Sequence, residues 1–114
     1  MFARSRFGLV AGILLAAGTG SAPIAARPAH PARTYTVVID SMKFGAVPAG
    51  LRVGDAIRWV NRDIFRHSAT AGDRSFDLDL TAGKSGSTTL RRPGTISVSC
   101  KFHPGMKTRL VVSR

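Results

Sequence analysis

Four side chains able to bind a metal stand out in this 114-residue chain: His67, Cys100, His103 and Met106. The last three are spaced three positions apart in one short segment. Two imidazoles and a thiolate in a trigonal arrangement, with a weak axial thioether, are the donors of a mononuclear electron-transfer copper. The spacing therefore predicts a copper centre, and the proline and glycine that follow His103 would supply the tight turn that gathers the donors.

Each of these residues also has a role in proteins without a metal. His67 could be an ordinary surface or core histidine, Met106 a packing residue, and Cys100 a small buried apolar group. A structural zinc site would use several Cys or His and no Met. A nucleophilic Cys–His pair is a further alternative, but no orienting third group or oxyanion hole is evident in the sequence. Because four ligands leave no position open for a substrate, no enzyme activity is predicted.

The N-terminus has the pattern of a secretory signal. Two arginines precede an almost wholly apolar stretch from Phe7 to Ala17, and small residues follow it. This order predicts a signal peptide over residues 1–26, cleaved after Ala22 or Ala26, and an exported, periplasmic protein. The apolar stretch is too short for a comfortable membrane span, so no stable membrane insertion is expected after cleavage. An uncleaved membrane anchor is the alternative interpretation.

The remaining chain is predicted to be one all-β domain. Residues 27–33 have no periodicity and indicate a flexible lead-in, whereas residues 34–114 contain short β-rich runs separated by turn residues. Ile57 and Trp59 are expected to face the core from a strand over residues 56–60. Ile96, Val98 and Cys100 alternate with Ser97 and Ser99, so Cys100 is expected to point inward at the end of a half-buried strand. These features predict an antiparallel Greek-key β-sandwich over residues 34–114.

Charge and cysteine content restrict the partners. Without residues 1–26 the chain has 15 Lys and Arg against six Asp and no Glu, a net charge of +9. Such a charge attracts acidic proteins, anionic lipids or nucleic acid. Export and the scattered positions of the charges argue against nucleic acid. Cys100 is the only cysteine, so no internal disulfide is possible. A basic exported protein that binds anionic surfaces without a metal remains an alternative.

Several motifs resemble those of the cupredoxins, the small blue copper proteins, and most closely those of the amicyanin branch. The matching segments include the following: Val53-Gly54-Asp55, Trp59-Val60-Asn61-Arg62, His67, Arg92-Pro93-Gly94-Thr95 and Cys100-x-x-His103-Pro104-x-Met106. The resemblance implies a type 1 copper bound by the δ nitrogens of both histidines, the Cys100 thiolate and, weakly, Met106. It also implies a monomeric one-electron carrier between redox partners, such as a cytochrome, a dehydrogenase or an oxidase. Copper delivery or storage on the same fold is the alternative.

Two residues beside the first histidine depart from the family pattern. Arg66 and Ser68 stand where the family usually has Pro and Asn, and that Asn braces the two ligand loops. Ser68 keeps a hydroxyl, so a weaker brace is expected. Arg66 and Lys101 are expected to add positive charge beside the site and raise the reduction potential. With Arg62 and Lys107, they predict an acidic redox partner that docks where His103 and its apolar neighbours Phe102, Pro104 and Met42 reach the surface.

Overall fold

The computed structural model describes Gly8, residues 10–21 and residues 30–114. Both predicted cleavage positions, Ala22 and Ala26, lie outside the described residues, and the division into signal, lead-in and domain remains a prediction. Residues 10–21 form neither helix nor strand. Within the described residues, no helix has the length and apolar character needed to cross a membrane.

Nine strands form the domain, in the chain order β1 Thr34–Asp40, β2 Lys43–Phe44, β3 Leu51–Arg52, β4 Ala56–Asn61, β5 His67–Ala71, β6 Asp77–Leu80, β7 Ser85–Thr89, β8 Gly94–Ser99 and β9 Lys107–Ser113. They make two sheets, one in the order β2-β1-β4-β7 and the other in the order β3-β9-β8-β5-β6. The predicted all-β sandwich is confirmed.

Two strand pairs are parallel, although the sequence favoured an antiparallel arrangement. β1 lies parallel to β4, with Tyr35 opposite Ile57, and β3 lies parallel to β9, with Leu51 opposite Val112. The chain leaves the first sheet after β2, contributes β3 to the second sheet, and returns to add β4 beside β1 in the same direction. Parallel neighbours require such a crossover connection, which strand alternation alone does not reveal.

The core lies between the two sheets and is organised around the single tryptophan. Trp59 is fully buried, as is Ile57, so the predicted orientation of β4 is confirmed. The indole Nε1–H donates a hydrogen bond of 2.9 Å to Thr88 Oγ1, and the ring meets Phe44 edge-on at a centroid distance of 5.9 Å. The buried indole N–H thus has a partner, which avoids the cost of an unsatisfied polar group.

The loops that connect the strands lie at the two opposite ends of the sandwich. The loops 62–66 and 100–106 meet at what we call the ligand end. At the opposite, basal end, the fully buried Asp55 carboxylate accepts backbone N–H bonds of 2.9 Å from both Arg33 and Arg52. The pKa of Asp55 is lowered, mainly because of these two hydrogen bonds. Asp55 therefore fixes the start of β1 to the turn between β3 and β4.

Candidate metal centre

Three of the four predicted ligands converge at the ligand end. One side-chain donor atom each of His67, Cys100 and His103 lies within 4.8 Å of the others. His67 begins β5, whereas Cys100 and His103 belong to the loop between β8 and β9. His67 is fully buried, Cys100 is almost fully buried, and His103 is half-buried. The antiparallel pairing of β5 with β8 brings the first histidine to the loop that carries the other donors.

His67 presents its δ nitrogen to the cluster. Its Nδ1 lies 3.8 Å from Cys100 Sγ, and its Nε2 lies 2.9 Å from Asp63 Oδ2. A carboxylate only accepts hydrogen bonds, so Nε2 carries the hydrogen and Nδ1 keeps a lone pair for a metal. Burial lowers the pKa of His67, but the hydrogen bonds with Asp63 and Cys100 outweigh it and leave the pKa raised.

Asp63 is fixed by its own set of hydrogen bonds. Its Oδ2 also accepts the Met42 N–H at 2.9 Å, and its Oδ1 accepts the Ile64 N–H at 2.8 Å. The hydrogen bond with His67 is the largest cause that lowers the pKa of Asp63 to about 2. An ionised carboxylate that orients a ligating imidazole is a frequent feature of protein metal sites.

The loop that carries Asp63 is shaped by Asn61, which is fully buried at the end of β4. Its amide Nδ2 donates to the carbonyl oxygens of Phe65 at 2.7 Å and Leu80 at 3.0 Å, and its Oδ1 accepts the Asp63 N–H at 2.9 Å. These three bonds use the amide's donors and its acceptor to close a tight turn ahead of His67. Asn61 thereby determines where the Asp63 carboxylate and the first histidine lie.

His103 has the same arrangement of nitrogens as His67. Its Nε2 lies 3.2 Å from the carbonyl oxygen of Arg66, which can only accept, so Nε2–H is the donor. Its ring packs edge-on against Phe65, at 6.3 Å between centroids, and against the ring of His67 at 4.9 Å. In both histidines an oxygen binds Nε2 and leaves Nδ1 free for a metal. This agrees with the δ-nitrogen ligation that the family resemblance implies.

The environment of Cys100 favours the thiolate. The Ser68 N–H lies 3.4 Å from Sγ and donates to it. Burial raises the pKa of the Cys100 thiol, but the hydrogen bond from the Ser68 N–H, the neighbouring His67 ring and the backbone N–H groups of Phe102 and His103 outweigh burial, and the pKa is lowered. A thiolate is the form that binds a metal. This environment therefore suits Cys100 to binding a metal, as predicted for this residue.

Met106 closes the loop that follows Cys100. Its backbone N–H donates to the His103 carbonyl at 2.9 Å, and its carbonyl accepts the Cys100 N–H at 3.2 Å. Its side chain is buried at the ligand end. These two bonds give the segment the tight turn expected from its proline and glycine. The position is suitable for an axial ligand, which remains a prediction for Met106.

Ser68 provides the brace between the two ligand loops. Its side chain is fully buried, and its Oγ accepts the Lys101 N–H at 2.8 Å. Oγ also lies 2.9 Å from Thr70 Oγ1, which donates its hydrogen to Asp77 Oδ1. The Ser68 hydroxyl therefore donates to Thr70 while it accepts from Lys101. The shorter side chain thus links β5 to the Cys100 loop by a direct hydrogen bond.

Arg66 and Lys101 lie beside the site as predicted, but carboxylates pair with both cations. The Arg66 guanidinium lies 2.8 Å from Asp79, and Lys101 Nζ lies 2.8 Å from Asp79 and 3.1 Å from Asp77. The Arg66 guanidinium also covers the ring of Phe102, 4.6 Å from its centroid. Two carboxylates of β6 thus balance the two cations. The paired residues are 13 to 24 positions apart in the sequence, so the sequence did not indicate that they pair.

Sequence analysis missed Asp63 and part of the apolar surface. Asp63 precedes His67 by four positions, and an acidic residue so close to a ligand was the available signal. Ile64 is 82% exposed and Phe65 is 49% exposed, beside the predicted surface residues Met42 and Phe102. We call the surface formed around His103 the exit face, and it consists of Met42, Ile64, Phe65, Phe102 and Pro104.

Comparison with known proteins identifies structural relatives only. No protein-family model and no curated protein sequence matches the chain. Among solved structures, the Cu(I) form of a methionine-to-alanine mutant of amicyanin is 28% identical, with a TM-score of 0.61 over 70% of this chain and 82% of that one. An oxidised methionine-to-leucine mutant of amicyanin is 25% identical, with a TM-score of 0.62 over 69% and 81%. A reduced proline-to-phenylalanine mutant is 29% identical, with a TM-score of 0.61 over 70% and 82%.

The fold and the donor set lead to the same conclusion. The chain has the cupredoxin fold, its structural neighbours are amicyanins, and its His-Cys-His cluster fits a type 1 copper site. The donor set fits a single copper ion, and one of these neighbours is a Cu(I) form of amicyanin. These neighbours also support the prediction that the chain is not an enzyme.

Proposed function

We propose that this amicyanin-like cupredoxin is an exported one-electron carrier whose copper is held by His67, Cys100, His103 and Met106. The observation that carries the proposal is that one soft donor, the Cys100 sulfur, and two imidazole nitrogens lie within 4.8 Å of one another. The δ nitrogens of both histidines are free to bind the metal. A copper ion bound there would supply one-electron chemistry by alternating between Cu(I) and Cu(II).

The side chains around the donors limit their movement. Asp63 holds the ring of His67, the Arg66 carbonyl holds the ring of His103, and the Ser68 hydroxyl holds the Cys100 loop. Because each donor is oriented before a metal binds, little reorganisation is needed when the charge of the site changes. A rigid site of this kind favours electron transfer over delivery or storage of copper, which requires the ligands to release the metal.

The exit face offers a route for the electron to a partner. His103 is the one histidine of the cluster that is not fully buried, and exposed apolar side chains surround it. A small apolar surface supports weak and quickly reversible docking between redox proteins. With the Arg66 and Lys101 charges balanced, the exposed Arg62 and Lys107 remain to favour an acidic redox partner. We expect their steering to be modest.

The first test is metal reconstitution of the protein. One equivalent of Cu(II) added to the apoprotein should produce an intense blue thiolate-to-copper absorption. Cys100→Ser should abolish the absorption, because a hydroxyl cannot supply the thiolate. Ser97→Ala, on the exposed side of β8, is the matched control and should stay blue. Met106→Leu should keep copper and colour with a higher reduction potential, since the axial ligand tunes the site more than it holds the metal.

The outcomes distinguish the ligand assignment from the function. A blue Cys100→Ser protein would show that the ligand assignment is wrong. A blue wild-type protein with very slow electron self-exchange would contradict the carrier function and favour copper delivery or storage. Fast self-exchange by the wild-type protein would support the carrier function.

A further inference from the structure

Folding gathers at the basal end a set of arginines that are far apart in the sequence. The start of β1, the β3–β4 turn, the β7–β8 turn and the end of β9 meet there through the hydrogen bonds Ala56 N–H to Arg33 O, Gly54 N–H to Leu90 O and Val53 N–H to Ser113 O. Each of these segments contributes at least one exposed arginine. We call this group the basal arginine patch, and its members are Arg33, Arg52, Arg91, Arg92 and Arg114.

The patch has little internal charge compensation. Among residues 30–114, none of its five guanidinium groups lies within ion-pair distance of a carboxylate. The Asp55 carboxylate beneath the patch is buried and already accepts two backbone N–H groups. Asp73 is the other acidic residue near this end; its pKa is lowered chiefly by Ser75, with a smaller contribution from Arg92. The positive charge of the patch is therefore available to a partner.

An apolar surface lies among the arginines. A groove of about 430 Å³ is lined by Val53, Arg91, Pro93 and Arg114, and Val53 is 39% exposed. The planar guanidinium group pairs bidentately with phosphate oxygens, which makes arginine suited to phosphate groups on a surface. Phosphate headgroups above an apolar layer match this combination of charges and apolar contact.

The geometry points to the lipid bilayer as the partner. We propose that the basal arginine patch docks the domain on the surface of an anionic phospholipid membrane. Five arginines surround the apolar contact made by Val53 and Pro93 at this one end of the sandwich, which complements anionic headgroups above an acyl layer.

Docking by the basal end leaves the copper site accessible. Met106 precedes β9 and Arg114 follows it, so the length of this strand separates the two ends by about 25 Å. The exit face would therefore point away from the bilayer, toward partners that diffuse along the membrane. This proposal does not depend on the copper function, because it concerns the opposite end of the sandwich.

Vesicle binding of the full chain tests the proposal. The probes are vesicles of pure phosphatidylcholine and vesicles with one third phosphatidylglycerol, and binding is measured by co-sedimentation. Binding to phosphatidylcholine measures the contribution that does not depend on lipid charge, and the excess binding to phosphatidylglycerol measures the contribution of charge. Each basic residue at an anionic surface strengthens binding about fivefold, so removing three arginines should reduce the excess by about 100-fold.

The test variant is the triple substitution Arg91→Gln, Arg92→Gln and Arg114→Gln. The matched control removes the same charge from the other end with Lys43→Gln, Arg62→Gln and Lys84→Gln, and should reduce the excess only a few-fold. A far-UV circular dichroism spectrum and a Tm unchanged from wild type in each variant show that it is folded. Equal losses in both triple variants, or no excess on phosphatidylglycerol, would overturn the proposal. Patch-dependent binding to polyglutamate without vesicle binding would overturn it in favour of an acidic protein partner.

Discussion

Removal of the Ser68 hydroxyl should both destabilise the fold and loosen the metal site. Ser68→Ala deletes two hydrogen bonds, one accepted from the Lys101 N–H at 2.8 Å and one donated to Thr70 Oγ1 at 2.9 Å. Each contributes about 1 kcal/mol net, so the free energy of unfolding should fall by about 2 kcal/mol. For a domain of this size that corresponds to a decrease in Tm of about 10 °C.

The loss should be measured by urea and thermal unfolding of the apoprotein. Ser87→Ala, which changes an exposed serine on β7, is the matched control and should differ from wild type by less than about 0.5 kcal/mol. The Ser68 N–H to Cys100 Sγ contact is a backbone interaction and persists in the variant. The measured effect therefore reports the side-chain brace alone. A Ser68→Ala protein within about 0.5 kcal/mol of wild type would refute this reasoning.

A second measurement separates a brace of the site from general stability. With Ser68→Ala the Lys101 N–H loses its partner, and the loop that carries Cys100 and His103 is tied less firmly to β5. Copper affinity should fall by about tenfold or more, as is typical when a partner that orients ligands is removed. Competition with a chelator measures this. Unchanged copper affinity in a destabilised protein would show that Ser68 supports the fold without bracing the site.

Two further predictions concern charged groups. The pKa of Asp55 is lowered from 3.8, so its ionised carboxylate stabilises the native state above pH 3.8 and this stabilisation is lost as the pH falls toward the lower, folded-state pKa. Asp55→Asn should therefore reduce the free energy of unfolding at pH 7 and make it less dependent on pH in acid. Urea unfolding from pH 7 to 3 measures this. An unchanged acid limb would contradict this role. Arg66→Gln should lower the reduction potential, Asp79→Asn should raise it, and the double variant should return close to wild type in voltammetry, since the two charges balance. Additive shifts of the same sign would show that the ion pair does not control the potential.

The local patterns were sufficient for the fold class and for the donors. Alternation in β4 placed Ile57 and Trp59 inside, because side chains of a strand alternate between its two faces. The three-residue spacing brought Cys100 and His103 into one cluster with His67. These features depend on short segments whose residues determine their own conformation.

The pairings between strands and side chains far apart in the chain could not be predicted from the sequence alone. The β1–β4 and β3–β9 pairs are parallel because of crossovers between sheets, which no local pattern reports. The charge balance at Arg66 depends on its approach to Asp79 across two strands. The basal arginine patch could not be predicted for the same reason. Its arginines are far apart in the sequence, and they come together only when β1, β3 and β9 pack in the folded domain.

The position of the ligand loop between β8 and β9 has a consequence for biosynthesis. A ribosome synthesises this hairpin after the other strands. β9 also supplies the partner that β3 needs, so the second sheet cannot close before β9 arrives. Metal acquisition at this site should therefore follow synthesis of nearly the whole chain. A nascent chain halted before Cys100 would contain only one of the four predicted donors, His67.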